Sequence, residues 1–253
     1  MDKIREMRGV GDPRLAAVSH RLRNVKRVIL VGSGKGGVGK TLIATVLALI
    51  AAKKGIKVGL FDADLYSPST HVVLGAHGIF PEEDMGVVPP AIEGVKLMTP
   101  AFYAGDNPLP LRGSEVTDAI IELLTITRWG DLTVLFVDLP PGTGEEVLDV
   151  TRLIPKAEVV LVSTPSKLSL NGVSRLALLL RELRVKILGV VENMSSGESS
   201  LVRKHFEELG VKYLGWLPFD PRLEECVGRP KLLLETSFAK KICGIASGIL
   251  RDL

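Results

Sequence analysis

Gly32-Ser33-Gly34-Lys35-Gly36-Gly37-Val38-Gly39-Lys40-Thr41 is the stretch that decides the fold. Gly34 to Thr41 fits the phosphate-binding pattern G-x-x-x-x-G-K-S/T. Before it runs Arg27-Val28-Ile29-Leu30-Val31, an apolar segment with the character of a buried strand, and after it Thr41 to Lys54 reads as a helix. A glycine turn alone is common. A glycine turn between a strand and a helix is a phosphate cradle, because Gly34, Gly36, Gly37, Val38 and Gly39 can turn backbone N–H groups toward phosphate oxygens at the helix start. Lys40 then neutralises the terminal phosphates, and the Thr41 hydroxyl is a ligand for Mg²⁺.

Outward from the loop, short β-branched runs alternate with amphipathic stretches. Strands are expected at 27–32, 57–62, 94–98, 132–138, 158–163, 186–192 and 212–217, with helices over Glu115–Arg128, Leu168–Arg181 and Leu201–Leu209. The alternation predicts a three-layer α/β fold: a mainly parallel sheet with helices on both faces and its site at the carboxyl ends of the strands. The expected organisation is one domain over 1–253. Residues 1–26 form an N-terminal extension with a short helix, and 75–111 a proline- and glycine-rich insertion.

Two acidic motifs stand at predicted strand ends. Val58-Gly59-Leu60-Phe61 runs into Asp62-Ala63-Asp64, and Val134-Leu135-Phe136-Val137 ends in Asp138. Asp138 has the form of a carboxylate that secures Mg²⁺ near the loop hydroxyl, Asp62 could hold a water on that metal, and Asp64 could orient an attacking water. An Asp-x-Asp pair by itself is also a plain polar turn; beside the glycine loop it completes a nucleotide-hydrolysis set. Lys35 is the residue such a cradle does not need.

That extra lysine marks a resemblance. The loop resembles the deviant phosphate loop of the MinD, ParA and Mrp ATPases. The wider chain, from about Asp12 onward, resembles the Mrp-type members through Gly34–Thr41, Asp62-Ala63-Asp64-Leu65-Tyr66-Ser67-Pro68-Ser69, Val137–Gly144 and Val190-Val191-Glu192-Asn193-Met194-Ser195. The resemblance implies ATP and Mg²⁺ as cofactors, with Lys35 reaching the partner's nucleotide across an ATP-bound homodimer. It implies that Asp64 activates water, that Asn193 reads adenine, and that Leu217-Pro218-Phe219-Asp220 lies along the base's other side, with Pro218 and Phe219 in contact. It further implies an ATP hydrolase acting on a metal centre.

The departures narrow the client. Iron–sulfur scaffolds of this type carry Cys-x-x-Cys shortly after the Glu-Asn-Met-Ser segment, where this chain reads SSGESSLVRKHFEEL. The family's Trp-Arg-Gly-Pro is here Leu111-Arg112-Gly113-Ser114. The two cysteines, Cys226 and Cys243, fit no chelating pattern, and His20, His71, His77 and His205 are not clustered. A cysteine-poor Mrp-like chain resembles the ATPase-type nickel-maturation factors of archaeal nickel–iron hydrogenases. The expectation is therefore nickel delivery with a metallochaperone partner, with iron–sulfur assembly or membrane positioning as the alternatives.

Composition sets the outer bounds. With 46% hydrophobic residues in 253, the chain can bury a substantial core. Two cysteines suit a reducing cytosol, and residues 1–26 have no signal-peptide core, so a cytoplasmic location is expected. A net charge of +3 with dispersed lysines and arginines argues against nucleic acid. Phe238 to Leu253 could be a membrane-binding amphipathic tail or a last helix packed on the sheet; the second is preferred, so no stable membrane association is expected.

Overall fold

The computed structural model describes residues 13–105, 107, 109–154 and 156–251. In chain order the elements are α1 (Pro13–Arg21), β1 (Val25–Ser33), α2 (Lys40–Lys53), β2 (Val58–Asp62), α3 (Thr70–Leu74), β3 (Glu82–Glu83), β4 (Val87–Val88), β5 (Ala91–Ile92) and β6 (Val95–Met98). There follow α4 (Ala101–Ala104), α5 (Ser114–Ile126), β7 (Leu132–Asp138), α6 (Glu145–Leu153), β8 (Glu158–Ser163), α7 (Lys167–Glu182), β9 (Lys186–Ser195) and α8 (Ser200–Glu208). The chain closes with β10 (Tyr213–Pro218), α9 (Leu223–Cys226), α10 (Pro230–Glu235) and α11 (Ser237–Ile249).

Eight strands form one sheet in the order β10-β9-β8-β1-β7-β2-β6-β5, parallel throughout except for the β5–β6 pair at one edge. The expected α/β class and its parallel core are borne out. β1 lies between β7 and β8, and β2 lies against β7 on the far side. The chain leaves β1 toward one edge and later returns past it toward the other, which opens a crevice at the carboxyl ends.

Alternation along each strand builds two cores. On β1, Val28 and Leu30 face a layer that includes Val18 of α1, Leu124 of α5, Val150 of α6 and Leu176 of α7. Ile29 and Val31 face α2, α3, α10 and α11 through residues such as Leu47, Val73, Leu233 and Ile242. Each large apolar side chain fully removed from water contributes about 1.5–3 kcal/mol, so both faces hold the sheet. α2 is buried almost all round, from Ile43 to Ala51, which explains why it reads as a continuous apolar run rather than a stripe.

Three expectations change in detail. The insertion at 75–111 is more ordered than a loop: β3 and β4 form an antiparallel hairpin and β5 extends the main sheet beside β6. The helix read as Glu115–Arg128 stops at Ile126, because Thr127 turns extended and Arg128 N donates to Val87 O at 2.7 Å. Within the expected extension 1–26, Pro13–Arg21 does form a helix, but it packs into the core through Val18. Met1 to Asp12 lie outside the described residues. α11 places Phe238, Ala239, Ile242, Ala246 and Ile249 in the core, the packed arrangement preferred for that segment.

Candidate nucleotide site

The loop between β1 and α2 takes its shape from two left-handed glycines, Gly37 at φ 74° and Gly39 at φ 81°. Other residues strain in that region. No side chain caps α2, so its first N–H groups are left toward the loop, a ready anion site. The loop bounds a cavity of about 710 Å³, with Lys35, Lys40, Asp64, Tyr66, Pro141 and Glu146 among its walls. A Cβ on Gly37 would meet nothing within 4 Å, whereas one on Gly39 would fall 2.4 Å from Asn193 Nδ2. Gly34 belongs to a different task. A Cβ there would sit 2.1 Å from the backbone carbon of Gly172 on α7, and Gly34 is absent from the cavity walls. The first glycine of the motif lets a helix and the loop touch.

Beneath the cavity lies Asp138, fully buried at the end of β7. Its Oδ1 accepts from Lys40 Nζ at 2.5 Å and its Oδ2 from the Thr41 hydroxyl at 2.6 Å. Burial raises the Asp138 pKa, opposed by Lys40 and Thr41. Mg²⁺ takes few protein oxygens and keeps several waters, so the Thr41 hydroxyl with the Asp138 carboxylate is a donor set that fits it. Asp62 is the direct register partner of Asp138 on β2, yet its carboxylate is spent elsewhere. Oδ2 accepts from Ser69 N, Thr70 N and Thr70 Oγ1 at 3.0, 3.1 and 2.8 Å, and Oδ1 accepts from Asp64 N at 3.2 Å. Burial, and then the neighbouring Asp138 charge, push its pKa up to about 7. The expected metal role of Asp62 therefore competes with its tie to the start of α3.

Asp64 lines the cavity, with Oδ1 held by Ser67 N at 3.1 Å. Lys35 lines it as well, and its ammonium has no ion-pair partner among the described residues. Asn193, two residues before the end of β9, lies behind the loop rather than in the cavity wall: Nδ2 donates to Val38 O at 2.7 Å, and Oδ1 is buried without a partner. Pro218 pairs in register with Ser195, and Phe219 is 67% exposed; neither is in the cavity wall. The structure thus gathers Lys35, Gly36–Thr41, Asp64 and Asp138, and sets Asn193, Pro218 and Phe219 to one side.

Some site residues escape the sequence reading. Tyr66 and Glu146 wall the cavity, Gly172 shapes the loop from behind, and Glu192 is buried beside Asn193. A lone glycine inside the amphipathic 168–181 stretch was the available signal for Gly172. Among the described residues no group of three His, Cys, Asp or Glu is placed to hold a metal ion. His71 and His77 do meet, ring centroids 6.2 Å apart and edge-on, while His205 bonds Ser174 at 2.8 Å. Cys226 and Cys243 are half-buried free thiols.

Over residues 24–252 the chain matches the ParA family, described as the NUBPL iron-transfer P-loop NTPase. It belongs to that family. Its Mrp-type relatives include the iron-sulfur cluster carrier protein of Saccharolobus solfataricus, 35% identical over 92% of this chain and 86% of that protein. The protein of the same name from Pseudomonas fragi is 43% identical over 69% of this chain, and the match spans 62% of that relative's length. The nucleotide-binding protein of Archaeoglobus fulgidus in complex with ADP has a TM-score of 0.77 at 28% identity, covering 90% of this chain and 96% of that one. MinD of Pyrococcus furiosus, at TM-score 0.67 and 22% identity over 90% of this chain and 99% of its own, shares the fold. The resemblance to Mrp-type ATPases of the MinD/ParA group is borne out, and a P-loop NTPase is the enzyme class of the family.

Proposed function

We propose that this chain, as one ATPase unit over its length, binds Mg-ATP, hydrolyses it slowly and works as a dimeric switch in iron–sulfur cluster assembly. The observation that carries the ATPase part is the convergence of Lys40 and Thr41 on the buried Asp138 beneath a glycine-lined cavity. Backbone N–H groups of 36–41 take the phosphate oxygens, and Lys40 swings from Asp138 to the terminal phosphates. Mg²⁺, when bound at Thr41 and Asp138, supplies charge neutralisation on the phosphate oxygens. Asp64 accepts a hydrogen bond from the attacking water and aims it in line with the leaving group. Lys35, contributed by a second copy, adds positive charge where water has been excluded. Asn193 reads adenine, with Pro218 and Phe219 along the base.

The iron-sulfur cluster carrier proteins among its relatives support iron–sulfur clusters as the cargo. Because the chain has no Cys-x-x-Cys, the cluster's thiolates come from the client, and the switch acts by binding that client differently in its ATP and ADP states. The missing motif also favours a second reading, nickel delivery with a metallochaperone, which the relatives' names do not support. Both readings place the chain in the cytoplasm.

Lys40→Ala should abolish nucleotide binding, and Asp64→Asn should hold ATP without turnover. Equal affinity for GTP would defeat the adenine assignment, and full turnover by Asp64→Asn would defeat the role of Asp64. For the cargo, Asp64→Asn locked with ATP is mixed with a cluster-loaded scaffold or a nickel-loaded metallochaperone. Nucleotide-dependent capture of the scaffold alone is expected; capture of the nickel protein alone would select the other reading.

A further inference from the structure

Basic residues that are scattered along the chain converge at the amino ends of three adjacent strands, β1, β8 and β9. There Lys26, Arg27, Lys156, Arg184 and Lys186 stand around a cavity of about 370 Å³ that holds one carboxylate, Glu158. Five cations against one anion leave a surplus of four, larger than the +3 of the whole chain. Glu158 fixes the floor. Its Oε2 accepts from Arg27 Nε at 2.7 Å, and its Oε1 meets Lys186 Nζ at 2.6 Å. Arg27 Nη1 donates in turn to Ile249 O at 3.0 Å, at the end of α11. Lys26, Lys156 and Arg184 form no ion pair among the described residues. Arg184 also closes α7 at φ 58°, with its N–H on Arg181 O and that of Val185 on Leu180 O, both at 2.9 Å. α2 and α8 end in the same pair of bonds, and there the left-handed residue is a glycine, Gly55 and Gly210. An L side chain is disfavoured at that position, so the arginine weakens the cap it closes. The helix dipole favours a cation there, but Arg181 already stands in the last turn. What Arg184 adds is charge at the cavity.

We propose that this cavity binds a compact multivalent oxyanion, a polyphosphate or a polycarboxylate, at a site separate from the nucleotide cavity. Concave walls of one sign focus their field on a small anion. Ala157 is the one uncharged residue among the described walls. The cavity therefore offers neither a stacking platform for a nucleic-acid base nor an apolar anchor for a protein or a membrane. Arg27 and Lys186 are already oriented by Glu158, and the three unpaired cations close on the ligand. Lys26 and Ser33 stand near opposite ends of β1, seven residues or about 23 Å apart, so the site lies well away from the phosphate loop.

Calorimetric titration of the protein with tripolyphosphate and with citrate tests this, with excess ADP present to hold the phosphate loop. One equivalent of at least one of the two anions should bind. Lys26→Gln combined with Lys156→Gln and Arg184→Gln should weaken that binding by roughly a hundredfold or more. Lys53→Gln combined with Lys167→Gln and Lys240→Gln removes the same charge from exposed positions elsewhere, and should change the affinity less than roughly threefold. Arg184→Gly separates a ligand contact from a structural role. Without anion it should melt above wild type, because glycine suits φ 58°, while its affinity falls roughly tenfold. Equal losses in the two triple variants, an unchanged affinity in Arg184→Gly, or displacement of the anion by ADP would each overturn the inference. Failure of both anions to bind would overturn it as well, including where vesicles of anionic lipid or an acidic peptide bind through these lysines instead.

Discussion

Lys40 Nζ lies 2.5 Å from Asp138 Oδ1, an ion pair in which both side chains are almost wholly buried. The two residues sit 98 positions apart and meet because β1 and β7 are adjacent parallel strands, with Val31 and Asp138 in register. On the proposed function, the lysine that reaches phosphate is stored on the carboxylate that reaches metal. Phosphate at the loop and Mg²⁺ at Asp138 would then each take one partner of the pair, so neither charge would be stranded when both bind together.

Breaking this pair from one side leaves an uncompensated buried charge. Lys40→Ala should destabilise the nucleotide-free protein by about 3–5 kcal/mol as well as abolish binding. Adding Asp138→Asn should recover more than half of that stability with no return of binding. Urea denaturation of the two single variants and the double variant checks it; a fully additive cycle would show that the pair carries no coupling.

Asp62 gives the metal-free protein a distinctive pH dependence. In the fold it ionises near pH 7, because it is buried beside Asp138. In an unfolded chain it ionises at about 3.9. Between those values the folded protein keeps a proton that the unfolded chain has released. Its contribution is therefore full below about pH 4 and is lost as pH rises toward 7, at up to about 1.4 kcal/mol per unit. Asp62→Asn should flatten that slope relative to wild type. Denaturation midpoints from pH 4 to 8 in both proteins would reveal it, and parallel curves would reject the raised value.

The loop glycines should fail in different ways. Gly34→Ala drives a methyl against the Gly172 backbone and should cost about 1–3 kcal/mol, toward the upper end, with a displaced loop. Gly37→Ala meets no atom within 4 Å and should lose about 1–2 kcal/mol through its left-handed φ alone. Thermal melts separate the two. A larger loss for Gly37→Ala would mean that backbone conformation, not contact with α7, limits the loop.

Lys35 tests the dimer. With ATP and the Asp64→Asn variant, light scattering should show a dimer, and Lys35→Ala should lower hydrolysis more than nucleotide affinity. A protein that stays monomeric with ATP well above cellular concentration rules out the shared site.

The sequence made the chemistry of the phosphate loop legible because those residues are local: Gly34 to Thr41 are contiguous, and their strand and helix announce themselves by unbroken apolar runs. Asp138 was legible for the same reason, as a carboxylate closing an apolar strand. The segment Val190–Ser195 points to Asn193 by resemblance but not to its bond with Val38 or its orphaned oxygen, since these depend on which strand ends lie beside the loop. A carboxylate at a strand end predicts a metal role for Asp62. Its four hydrogen bonds come from the next turn of chain folding back on it, which no spacing rule encodes.

By itself the sequence determined an α/β nucleotide-binding fold, seven of its ten described strands to within a few residues, and the loop, lysine and aspartates of a P-loop NTPase. Periodicity and short contiguous motifs carry that much, because backbone geometry repeats every two or 3.6 residues and acts locally. Only the tertiary structure decided that Gly34 serves helix contact, that Lys40 rests on Asp138, that Asp62 is tied to α3, and that Asn193 is bound to Val38. Those are contacts between residues brought together by strand order and register. Burial and electrostatics depend on distance in space, and distance in space is what a linear pattern does not contain.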